Sequence, residues 1–170
     1  MNRLIVLLRG INVSGRNKLP MKELRALLTS SDFQNVQTYI QSGNIILDSC
    51  HSEKNTETQV TQLIKQAYGY KVPSFAYSIQ DWENILEKCP YQEGERKIHM
   101  TFLDQVPKIN QIKVSQVETD QFTIIGHTVY LHCLSYGKTK LNNHFFENKL
   151  KVIATTRNFR TVNKLYALAK

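Results

Sequence analysis

The chain has 170 residues and a net charge of +8, with 41% hydrophobic and 21% charged residues; that is enough for one good core or two small ones, and it excludes a disordered chain. No apolar run approaches the ~18 residues of a membrane span, and residues 4–8 fall short of the roughly 7–15 apolar residues of a signal peptide. Three cysteines without Cys-x-x-Cys spacing indicate neither a disulfide framework nor a zinc ribbon, so a soluble protein of the reducing cytoplasm, without a membrane partner, is expected.

Residues 4–8 read as a strand, followed by a loop spaced Gly10-x-x-x-x-Gly15. A phosphate loop would then want Lys and Ser or Thr, where this chain has Arg16 and Asn17. Pro20 also opens the next helix later than that motif requires. Met21, Leu24, Leu27 and Leu28 give the helix its apolar spacing as far as Ser30. Strands at 36–41 and 44–47 flank a Ser42-Gly43 turn. Val60, Leu63, Ile64, Ala67 and Tyr68 mark a second helix that Gly69 ends, before a strand at 72–77. Strand, helix, strand, strand, helix, strand is the split βαβ order of a ferredoxin-like plait.

Ser78-x-x-Asp81 is spaced as a capping box for a linking helix with Ile79, Trp82, Ile85 and Leu86 on its apolar face, closed by Cys89-Pro90. The first pattern then returns. A strand at 98–103 precedes a helix after Pro107 carrying Ile109, Ile112 and Val117, and a hairpin at 122–131 turns near Gly126. Two helices finish the chain. One carries Phe145, Phe146 and Leu150 behind an Asn142-Asn143 cap, and the other carries Phe159, Val162, Leu165, Tyr166 and Ala169, with Thr155 to Asn158 as its N-cap. The expected fold class is α+β: two ferredoxin-like (alpha-beta plait) subdomains, residues 1–78 and 79–170, from an internal duplication.

The charge sits at the two ends. Residues 1–25 hold six basic residues and one acidic, residues 135–170 hold eight and one, and the stretch between holds eight and twelve. If the ends meet they form one positive surface suited to phosphate or nucleic acid; otherwise they are scattered solvated lysines. Three polar segments end apolar elements and supply the candidate ligand-binding residues: Arg9, Gly10, Asn12, Gly15, Arg16, Asn17 and Lys18; Gln41, Ser42 and Asn44; and Arg157, Asn158 and Arg160. Arg9, Arg16 and Lys18 could neutralise an anion that Asn12, Asn17 and loop amides orient. Equally, the two asparagines could bond their own backbone to hold an irregular turn. Backbone geometry by itself accounts for the Ser42-Gly43 turn, and no Gly-x-Ser-x-Gly elbow makes Ser42 a nucleophile. Arg157 and Arg160 would oppose the dipole at a helix N-terminus by about 0.3–1 kcal/mol, an effect a bound anion would reverse.

No metal or cofactor is indicated, because His51, His99, His127, His132 and His144 lack ligand spacing; His127 and His132, five apart in one expected strand, face opposite sides. Asp48, Asp104 and Asp120 could serve as bases, but nothing singles one out, so no reaction is indicated.

Three signatures, RGINVSGRNKLPMKELRALL at residues 9–28, YIQSGNI at 39–45 and ATTRNFRTVNKL at 154–165, make the chain resemble an uncharacterised bacterial family, domain of unknown function 1697, over essentially its whole length. Ser14 stands where the family usually has a second glycine, and Phe159 where tryptophan is common. The resemblance implies a pair of plait-like domains and supplies no activity, substrate or catalytic residue. Two functions remain: binding of an anionic, phosphorylated small molecule between the halves, cradled by the first loop, or nucleic-acid binding on a basic surface. Against the second, the strand candidates at 4–8 and 44–47 lack the aromatic residues on which RNA-binding plaits stack bases. Oligomeric state is not indicated.

Overall fold

A computed structural model describes residues 1–13, 15–108 and 120–170. The chain divides into two units, Met1–Asn84 with Lys164–Lys170, and Ile85–Asn163. The first begins with strand β1 (Asn2–Leu8), helix α1 (Met21–Thr29), strands β2 (Gln34–Tyr39) and β3 (Asn44–Ser49), helix α2 (Glu53–Tyr68) and strand β4 (Ser74–Ser78). Its sheet runs β2-β3-β1-β4, antiparallel throughout. As a central strand, β1 is covered on both sides, which is why Leu4 to Leu8 form an unbroken apolar run. Leu4 and Val6 lie opposite Leu47 and Ile45 of β3, and Val6 lies opposite Ala76 of β4. These side chains share a core with Leu24 and Leu28 of α1 and Val60 and Ile64 of α2.

Local chemistry sets the ends of these helices. Pro20 takes the N-cap position of α1 with φ −63°, one residue before the helix. In α2 the Ser52 hydroxyl accepts from the Asn55 amide, and Gly69 stops the helix at φ 79°. Ser78 caps α3 (Ile79–Glu87): the Asp81 amide donates to Ser78 Oγ at 3.1 Å, and Ser78 donates through that hydroxyl to Asp81 Oδ2 at 2.8 Å.

In the second unit, β5 (Lys97–Leu103), β6 (Gln121–Ile125), β7 (Thr128–Cys133), α4 (Asn143–Leu150), β8 (Ala154–Asn158) and α5 (Phe159–Ala169) follow one another, α5 continuing into the residues assigned to the first unit. The sheet runs β6-β7-β5-β8, again antiparallel. Leu103, Leu131 and Ala154 pack with Phe146 and Leu150 of α4. The helix expected after Pro107 lies outside the described residues.

One element departs from expectation. Thr155 and Thr156 do not cap the final helix: they belong to β8, where Thr156 pairs with Thr101 and Thr155 with Phe102. Threonine suits a cap and a strand alike, and only the open edge of β5 decides between them. Asn158 alone does the capping, its Oδ1 accepting from the Thr161 amide at 2.8 Å. Similarly, His127 lies in the β6–β7 turn rather than in a strand with His132. Among the described residues, no helix is long and apolar enough to cross a membrane.

Candidate functional site

Beyond Leu8 the chain leaves the sheet, and the loop at residues 9–18 closes on itself. The Arg16 amide donates to the Val13 carbonyl at 3.0 Å and the Asn12 amide to the Asn17 carbonyl at 3.2 Å. Gly10, Asn12, Gly15 and Asn17 all take positive φ, between 47° and 74°, a conformation that glycine and asparagine enter with least strain. The Asn12 side chain then ties the loop down. Its Nδ2 donates to the carbonyls of Leu19 and Gln41 at 3.0 and 2.9 Å, and its Oδ1 accepts from the Leu19 amide at 2.9 Å. Asn17 Nδ2 donates to the Gly10 carbonyl at 3.0 Å, and the Tyr70 hydroxyl donates to the Lys18 carbonyl at 2.6 Å.

The turn at 41–44 meets this loop at the same end of the sheet. The Leu8 amide donates to the Gly43 carbonyl at 2.7 Å, and a Cβ built on Gly43 would come within 2.7 Å of Leu8 Cβ. Asn44, fully buried, donates through Nδ2 to the Tyr39 carbonyl and Ser42 Oγ. Arg9, Gly10, Asn12, Gly15, Arg16, Asn17, Lys18, Gln41, Ser42 and Asn44 are therefore gathered in one place, with Arg16 and Lys18 exposed and Arg9 half-buried. Amides that a phosphate loop turns toward its ligand are here partly spent within the loop. A Cβ on Gly10 or Gly15 would meet nothing within 4 Å.

Arg157, Asn158 and Arg160 belong to the second unit. Asn158 is the cap of α5 and Arg160 is exposed in its first turn. Arg157 is only 8% exposed and donates through Nη1 to Thr155 Oγ1 and the Thr156 carbonyl, each at 2.9 Å. Burial pulls its guanidinium pKa down to about 10, against the opposing influence of the Tyr136 hydroxyl.

Sequence reasoning passed over a row of polar groups beside β5. The His99 ring stacks on Tyr136 with centroids 4.7 Å apart, Cys133 Sγ lies 3.9 Å from His99 Nδ1, and Thr156 Oγ1 bonds Thr101 Oγ1 and Asn143 Oδ1 at 2.7 and 2.5 Å. Burial lowers the His99 pKa, against a hydrogen bond with Lys97 and the charge of Glu93, and burial raises that of the Cys133 thiol. A fully covered, protonated thiol is no nucleophile, so this row is architecture. Ile40 and Tyr70 were also missed at the first loop, since neither a positive φ nor a hydroxyl 52 positions away leaves a mark in sequence. All three cysteines are free thiols, and among the described residues no group of three His, Cys, Asp or Glu could hold a metal ion.

Two four-stranded antiparallel sheets, with a self-closed loop bearing Arg16 and Lys18 at one end of the first, define an α+β protein. The chain belongs to the family described as Protein of unknown function (DUF1697), whose profile matches residues 1–130; the signature at 154–165 lies beyond that match. It is similar to the conserved bacterial protein SP0830 from Streptococcus pneumoniae, with 25% identity, a TM-score of 0.78 and 99% of each chain covered. No curated protein matches the chain.

Proposed function

We propose that the first unit binds an anionic, phosphorylated small molecule through Arg16 and Lys18, backed by Arg9. The observation that carries this reading is the anchoring of the loop by Asn12, whose two amide donors and one acceptor fix the backbone bearing the cations. A cation on a prearranged loop loses less entropy when it meets an anion than one on a free segment. Open space over Gly10 and Gly15 lets a ligand approach. The proposal rests on this unit alone.

Thermal-shift titration with phosphate monoesters tests it. Wild-type protein should show a saturable rise in Tm that Arg16→Ala/Lys18→Ala abolishes, since each charge-assisted bond is worth about 1.5–3 kcal/mol. An unchanged response in the double variant ends the proposal. The second reading, nucleic-acid binding, draws on the basic excess at both ends of the chain. It requires affinity to fall with salt at a slope of about 0.9 per duplex phosphate contacted, summed over several contacts, whereas a single-phosphate ligand gives a shallow slope.

The same proposal treats each unit as a ferredoxin-like plait and the pair as an internal duplication with its repeat boundary after residue 78. Three likenesses support it. The strand orders β2-β3-β1-β4 and β6-β7-β5-β8 correspond. Gly43 and Gly126 lie in the two hairpins at φ 77° and 59°. Glu57 of α2 and Glu147 of α4 each accept a backbone amide from the last strand of their sheet, Ala76 at 3.0 Å and Ala154 at 2.9 Å. A reducing cytoplasmic setting fits the three free thiols.

A further inference from the structure

Ile40 is a residue that stability does not explain. It sits at φ 51°, in the left-handed region where a β-branched side chain is strained, and it is 50% exposed, so burial recovers little of that strain. Asparagine or glycine would hold the same turn comfortably, as Asn12 and Gly15 do in the facing loop. A strained residue held at the surface is a signal of function. The neighbouring Gln41 carbonyl accepts from Asn12 Nδ2 at 2.9 Å, which sets Ile40 beside the 9–18 loop. There Val13, the residue after Asn12, is 60% exposed, and the Arg16 amide returns to its carbonyl. The loop that presents Arg16 and Lys18 thus carries one exposed aliphatic residue, Val13, and is bonded to the segment next to another, Ile40, and an inorganic anion or a sugar phosphate has no use for them.

Resting on the anion reading above, we infer that the ligand is a soluble amphiphile: a phosphate ester whose apolar body, aromatic or aliphatic, lies on Ile40 and Val13 while its charged group meets Arg16 and Lys18. Apolar area removed from water adds affinity that charge alone does not supply, and it discriminates by the body of the ligand rather than by its phosphate.

Isothermal titration of the full chain with phenyl phosphate, glycerol phosphate and inorganic phosphate tests the inference. Phenyl phosphate should bind about tenfold more tightly than glycerol phosphate, the gain expected from covering part of a ring. The double variant Val13→Ser/Ile40→Asn should lose that preference and keep its affinity for inorganic phosphate. Asparagine suits the left-handed turn, so urea unfolding of the single variant Ile40→Asn should show stability equal to or above wild type. Equal affinity of wild-type protein for the two esters, or a preference that survives in the double variant, overturns the amphiphile and leaves the anion site standing. Failure of all three compounds to bind wild-type protein overturns both. Retention on anionic phospholipid vesicles without any response to phenyl phosphate overturns the soluble-ester form.

Discussion

Gly43 shows how much one hydrogen atom in place of a methyl can decide. Its φ of 77° is left-handed, and a Cβ there would come within 2.7 Å of Leu8 Cβ and 2.9 Å of Ile11 Cδ1, both buried in the first core. Strain and overlap act together, so Gly43→Ala should lower stability by about 2–4 kcal/mol in urea titration, combining the left-handed penalty with overpacking. Gly126, at φ 59° with open space around it, carries only the conformational penalty, and Gly126→Ala should cost about 1–2 kcal/mol. Equal losses at the two sites would mean that the approach to Leu8 is relieved by a backbone shift. The Ser42-Gly43 turn was legible because glycine in a hairpin names its own geometry; the steric lock against Leu8 was not, because it depends on a residue 35 positions earlier. Asn12 is similar: its side chain could be read either as a ligand group or as a loop brace, and only its three bonds to Leu19 and Gln41 show it bracing the loop.

At the scale of elements, the edges of the sheets are informative. β4 and β8 each end a sheet, and in each a helix glutamate takes up a backbone amide of the edge strand. An unpaired edge amide invites another strand or costs desolvation, and a carboxylate answers both problems. Ala154 is fully buried, so Glu147→Ala would strand its N–H away from water and should cost about 1–3 kcal/mol of unfolding free energy; an unaltered urea midpoint would show that another partner replaces the carboxylate. Elements with a local grammar were legible: α2 by its apolar face and its stop at Gly69, α3 behind Ser78 and Asp81, and α4 behind Asn142, whose Oδ1 accepts the Phe145 amide at 3.1 Å. β8 was not, because Thr155 and Thr156 satisfy the cap and strand patterns equally until β5 presents an edge.

For the molecule as a whole, pH is the variable that reaches the second core. His99 is half-buried and stacked on Tyr136, and burial holds its pKa below the ordinary value of about 6.5. The unfolded chain therefore takes up the proton first. Stability from this group is intact above about pH 6.5 and is lost as pH falls through the lower folded-state value. Urea midpoints measured from pH 8 down to pH 5 should begin to decline as pH falls below about 6.5, and His99→Phe, which keeps a ring for Tyr136, should flatten the decline; an identical profile in the variant would assign the pH dependence elsewhere. The amino-acid sequence by itself determined the periodic and capped elements, the apolar central strand, the family and the uneven placement of charge, because each is written within a few neighbouring residues. The tertiary structure alone decided that the first loop spends part of its amides on itself, that Arg157 is buried, that residues 154–158 complete a sheet, and that Ile40 is strained at the surface. Each of those depends on which distant segment lies alongside, and a hydrogen bond or a steric contact between segments leaves no trace in the order of residues along either one.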